Sequence, residues 1–102
     1  MIRHIFVGTA KEDTTPEQLD ELLAAWRGLP SLVSEIRRMT AGRNISPRDQ
    51  RYTVALVADF DDRDAWERYM NHPAHVAIGQ RLTANLIKPD SRAVVQFIVE
   101  DV

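Results

Sequence analysis

The stretch Asn71-His72-Pro73-Ala74-His75-Val76-Ala77 carries two of the chain's three histidines, three residues apart across a proline. An imidazole with a reference pKa of about 6.5 can accept and return a proton near neutrality, which is what general acid–base catalysis requires. Pro73 disfavours the α conformation at the residue before it, so a helix arriving through Tyr69 and Met70 should break at His72. Pro73 then opens a fresh helix, where its missing N–H costs nothing. Along that helix His75, Ile78, Gly79, Leu82 and Leu86 fall on one side, so His75 points inward. His72 stands where a polar side chain can cap the new helix's free N–H groups. The plain structural reading of the same residues is a His75 bonded to a backbone carbonyl and a Tyr69 buried with its hydroxyl satisfied.

Metal chemistry fits this stretch poorly. His72 and His75 are i, i+3 and His4 could join them, yet the proline breaks the geometry and no carboxylate lies at a ligand spacing beside them. No metal and no cofactor are expected; for haem, nothing beyond a histidine speaks. The carboxylates Asp59, Asp61, Asp62 and Asp64 suit helix capping and the helix dipole better than a cation. Arg37, Arg38, Arg43, Arg48 and Arg51 could guide an anionic ligand, but a solvated loop and edge strand, with Glu35 and Asp49 as partners, explain them more cheaply.

The elements that must hold the histidines follow in chain order. Met1 to Val7 is short, rich in Ile and Val, and apolar except for Arg3 and His4, which predicts a buried strand with His4 on the face of Ile2 and Phe6. Thr15-Pro16-Glu17-Gln18 is a helix start with a capping box, and Leu19, Leu22, Leu23 and Trp26 recur at helical spacing until Gly28 and Pro30. Val33 to Gly42 reads as an edge-like strand without clean alternation. Tyr52 to Phe60 is the clearest strand, with Tyr52, Val54, Leu56, Ala58 and Phe60 on one face. Asp61 or Asp62 caps the next helix, whose inward residues are Ala65, Trp66, Tyr69 and Met70. After the second helical piece, Lys88-Pro89-Asp90-Ser91 predicts a turn and Ala93 to Val99 a closing strand. The order is β-α-β-β-α-β, an α+β ferredoxin-like pattern with a four-stranded antiparallel sheet.

The length of 102 residues fits one domain spanning 1–102. A formal net charge of -2 gives no electrostatic footprint for nucleic acid. No apolar run approaches the roughly 20 residues that span a bilayer, so no membrane partner is expected. With no signal-peptide pattern and no cysteine, a cytoplasmic home is the default, and thiolate chemistry is excluded. The strands are apolar on two faces although helices can cover only one, which predicts a homodimer with two open sheet faces together.

The opening Met1-Ile2-Arg3-His4, the Gly42-Arg43-Asn44 turn, the Tyr52 to Phe60 strand and, above all, Tyr69 followed by His72-Pro73-Ala74-His75-Val76 resemble the stress-responsive α/β-barrel (Dabb) family. The likeness runs the length of the chain. It implies a dimeric α/β barrel with a cavity in each subunit between sheet and helices. The family includes plant stress proteins and cyclases related to plant polyketide cyclases. In those cyclases the second histidine of the motif is the base and the tyrosine six residues earlier binds or polarises a carbonyl, which implies catalytic roles for His75 and Tyr69. The resemblance places His4 near the pocket, and His72 and Trp66 complete the ligand-binding candidates, although capping and core packing suit those two. Val54 stands where the cyclase pocket carries another histidine, so the carry-over stops short of the plant cyclase's substrate. The expectation is a protein that binds a carbonyl-bearing ligand and performs a cofactor-free cyclisation or lyase step. The alternatives are a non-enzymatic, stress-associated structural or binding protein and, more distantly, a cofactor-free oxygenase.

Overall fold

The Ile- and Val-rich opening forms a strand, β1 (Ile2–Ala10), at the middle of an antiparallel sheet ordered β2-β3-β1-β4. The computed structural model describes residues 1–100. After β1 come α1 (Pro16–Gly28), a 3₁₀ turn (Leu29–Ser31), β2 (Ile36–Arg43) and β3 (Val54–Phe60). Then α2 (Arg63–Asn71) leads into α3 (Pro73–Ile78), a π-helical turn (Gly79–Thr83), α4 (Ala84–Leu86) and β4 (Ile87–Ile98). The β-α-β-β-α-β order is as the sequence predicts.

The expected barrel is not found. The sheet is open, with β2 and β4 as two separate edges. Four strands are too few to close, since a barrel whose interior side chains can fill needs about eight. Closure is replaced by cover: the helices lie over one face, and their apolar stripes meet Val54, Leu56, Ala58 and Phe60 of β3 in a single core cluster. Leu22, Leu29, Val33 and Ile87 are fully buried there.

Local chemistry explains the helix boundaries. Thr15 Oγ1 accepts from the Gln18 N–H while the Gln18 side chain accepts from the Thr15 N–H, a complete capping box ahead of Pro16. Asp62 Oδ1 accepts from the Ala65 N–H and starts α2. The unclear periodicity of β2 has a physical cause: the ladder with β3 shifts between Ile36 and Arg38, so Ile36 and Met39, three residues apart, both lie opposite core residues of β3. The turn expected at Lys88 to Ser91 is instead the first part of β4. Pro89 is tolerated because β4 is an edge strand, where a missing donor breaks no ladder on the solvent side.

The other sheet face carries no helix. Alternation along the paired strands sets Ile5, Val7, Val57, Val95 and Phe97 on it, and Val95 and Phe97 are exposed. Arg3 and Asp59, directly opposite each other, share this face through a two-point bond of 2.8 and 3.0 Å, with Asp59 buried beneath the guanidinium. Several of the surface arginines find carboxylates too: Arg37 with Asp61, Arg43 with Asp20 and Arg51 with Asp49. Glu35 pairs instead with Arg68. Among the described residues no helix is long and apolar enough to cross a membrane.

Gly8 is buried at the point where β1 meets the start of β4. A Cβ there would lie 2.7 Å from Ile87 Cγ2 and 3.3 Å from the Phe6 ring. Ile87 is branched and fully buried, so it cannot swing aside. Gly8→Ala should therefore destabilise the fold by about 1–3 kcal/mol, read as a lower urea midpoint with an unchanged slope.

Candidate functional site

The helix break is real and specific in its chemistry. His72 has extended backbone angles, φ -69° and ψ 136°, and its Nδ1 accepts from the Ala74 N–H at 3.0 Å, closing the first turn of α3. His72 does not line the cavity described below. Its role in the structure is the cap. Across the break the His75 ring comes to rest 4.3 Å, centroid to centroid, from the Tyr69 ring.

His75, Tyr69, His4, Trp66, Phe6 and Val94 are among the residues around a cavity of about 300 Å³ between the sheet and the helices. Four of the five candidate residues are thus brought together, His72 being the exception. The lining is mainly apolar. His4 enters from β1, Tyr69 and Trp66 from α2, His75 from α3, and Val94 from the edge strand β4. Tyr69 is buried and also packs its ring on Phe60 at 5.0 Å. The His4 ring lies 5.9 Å from that of Trp66. Trp66 Nε1 is buried without a partner, a donor left desolvated at the cavity wall.

Both cavity histidines have a hydrogen-bond partner at Nδ1. His75 Nδ1 lies 3.1 Å from the Met70 carbonyl. A carbonyl only accepts, so Nδ1 carries the proton and Nε2 is the free base. Burial lowers the His75 pKa from its ordinary 6.5; the Met70 carbonyl works against this, and the nearby His72 adds to it. His4 is buried, and its Nδ1 lies 2.9 Å from Gln96 Nε2 on the neighbouring strand. Its pKa is lowered as well, by burial first and by His75 second. Burial pushes the Tyr69 hydroxyl up to about 12, so it stays a neutral donor. The set holds a free base and a protonated phenol in a mainly apolar hollow, an arrangement able to take a proton from carbon and steady the resulting oxyanion. Among the described residues no group of three His, Cys, Asp or Glu side chains could hold a metal ion.

Gln96, which does not line the cavity but bonds His4 at its wall, is missed by the sequence reading. It is the one polar residue in the run from Ala93 to Val99, as His4 is one of two in the run from Met1 to Val7. Two polar residues inside apolar strands, if set opposite each other, would have been the available signal.

Residues 2–99 match the family model described as "Dabb: Stress responsive A/B Barrel Domain". The chain belongs to the Dabb family. Among Dabb relatives it is 26% identical to the stress-response A/B barrel domain-containing protein HS1 of Arabidopsis thaliana, over 85% of this chain and 82% of that one. It is 22% identical to the olivetolic acid cyclase of Cannabis sativa over 76% of this chain and 79% of that protein. A dimeric ferredoxin-like protein from Thermobifida fusca superposes with a TM-score of 0.84 at 30% identity, covering 96% of this Dabb chain and 90% of the other.

The lowered pKa values have a consequence for stability. Below about 6.5 the unfolded chain takes up protons at His4 and His75 before the folded chain does, so unfolding is favoured there. Their contribution is complete above that value and is lost as pH falls through it toward the folded pKa values. Urea unfolding followed from about pH 8 to about pH 5 should show this decline. Replacing both histidines with asparagine should flatten it.

Proposed function

We propose that the cavity binds a carbonyl-bearing, polyketide-like small molecule and carries out a cofactor-free cyclisation or lyase step with His75 as the base. The observation that carries this reading is the bond from His75 Nδ1 to the Met70 carbonyl, which leaves Nε2 bare in a ring packed on Tyr69 inside the cavity. In a cyclisation, His75 Nε2 takes a proton from the carbon beside a carbonyl, and the electron pair moves onto the carbonyl oxygen. The Tyr69 hydroxyl donates to that oxygen. The enolate carbon then attacks a second carbonyl of the same chain, and the new alkoxide recovers the proton from His75. No oxidant or metal is consumed. The lowered His75 pKa keeps the base free at neutral pH, and the apolar walls fit the hydrocarbon part of such a ligand. Relationship to a cyclase adds support.

A second reading, a stress-associated structural or binding protein, draws on the relationship to HS1. Under it His75→Ala loses stability and leaves ligand affinity unchanged.

The open sheet face, with Val95 and Phe97 exposed beside Ile5 and Val7, is proposed to pair with the same face of a second copy. The dimeric state of the Thermobifida fusca protein supports this.

Deuterium exchange at the central carbon of a medium-chain β-diketone tests the catalytic reading without knowledge of the natural ligand. The protein should accelerate exchange, and His75→Gln should reduce the rate by about a hundredfold or more. No acceleration by the unaltered protein would end the catalytic reading. For the assembly, native mass spectrometry should give a dimer, and Phe97→Asp should give a folded monomer; a monomer from the unaltered protein at micromolar concentration would refute the pairing.

A further inference from the structure

Each of the two cavity histidines meets a partner at Nδ1, and the two partners differ in kind. His75 is set by the Met70 carbonyl. His4 is set by Gln96, which stands directly opposite it in the β1–β4 register and reaches its Nδ1 at 2.9 Å. The far side of the Gln96 amide meets an arginine. Arg63 Nη1, at the start of α2, donates to Gln96 Oε1 across 3.4 Å. A guanidinium has donors only, so the carbonyl end of the amide must face Arg63 and the NH₂ end must face His4. An NH₂ group only donates. His4 Nδ1 is therefore an acceptor, and the neutral His4 ring carries its hydrogen on Nε2.

The consequence is a division of labour. Within one cavity, His75 presents a bare Nε2 and His4 an Nε2–H. A neutral imidazole N–H can polarise a carbonyl as an electrophile, which is the complement of a base acting on the adjacent carbon. Were His4 the other tautomer, it would offer a second lone pair, repelling the carbonyl oxygen.

We propose that Gln96, oriented by Arg63, is a positioning residue that holds His4 as the Nε2–H tautomer, so that His4 donates to the ligand carbonyl while His75 takes the proton. The role of the tautomer in turnover rests on the reading given under Proposed function; the tautomer itself does not. Arg63 is exposed, so its loss leaves the core intact.

Long-range ¹H–¹⁵N NMR of the imidazole rings at a pH where both are neutral reads the tautomers directly, with no ligand present. His4 should show a bare Nδ1 and a protonated Nε2, and His75 the reverse. Gln96→Glu replaces the donor with an acceptor and should move the His4 proton to Nδ1. Arg63→Met frees the amide to turn and should yield a mixture of His4 tautomers, while His75 stays unchanged in both variants. A His4 that carries its proton on Nδ1 in the unaltered protein, or that ignores both substitutions, overturns the proposal. In the β-diketone exchange assay, Gln96→Glu should lower the maximal rate about tenfold or more with little change in half-saturation, the pattern of an interaction made in the transition state. Expected tautomers together with no exchange by the unaltered protein would uphold the positioning and remove only the catalytic reading.

Discussion

Pro73 clashes with a helical conformation at the residue before it and so disfavours one there, and the site depends on that restriction. It forces His72 into an extended backbone, and the side chain of His72 then caps the helix that the proline opens. Two helical segments that would otherwise run straight on are interrupted at His72. Only with that break can the ring of His75 lie on Tyr69 while its Nδ1 reaches the Met70 carbonyl, five residues back. A continuous helix would spend the Met70 carbonyl on an N–H four residues ahead, leaving nothing to fix the imidazole. One covalent constraint thus places the ring, chooses its tautomer and frees one nitrogen.

A second constraint acts in β1, where Arg3 and His4 interrupt an apolar strand. Buried polar groups must find partners, and the antiparallel register supplies one for each on a different side. Arg3, on the open face, meets Asp59 of β3, and His4, on the helix face, meets Gln96 of β4. A slip of the register by one residue would put both residues on the wrong faces and break both pairs together. These bonds therefore specify strand pairing as well as chemistry.

The helices were legible in the sequence because their signals are local: Thr15 and Gln18, Asp62, and His72-Pro73 each mark a start within a few residues. β3 was legible from a short, Val- and Ala-rich apolar run bounded by polar loops. β2 was blurred by a bulge, which shifts the period at Arg38, and β4 was cut short because Pro89 and Asp90 are turn formers wherever an edge position does not excuse them. The barrel expectation came from family likeness rather than from strand number, and the open sheet corrects it. His75, Tyr69, Trp66 and His4 could be named in advance because histidines and aromatic residues on apolar faces stand out. Gln96 could not, since its meaning appears only when residues 92 positions apart become neighbours.

The edge strand β4 has a bearing on how the chain survives in a crowded solution. An edge offers unpaired backbone donors and acceptors to any other extended chain. Pro89 guards the first part of β4, but from Ala93 onward the strand presents Val94, Val95, Phe97 and Ile98 to solvent with Gln96 as its one polar residue. Such a segment is a template for uncontrolled sheet growth. Because Gln96 faces His4 rather than water, it cannot serve as a gatekeeper. The residue that sets the imidazole is taken from the strand's own protection against aggregation, and that protection has to come from elsewhere, by keeping the second half of β4 covered.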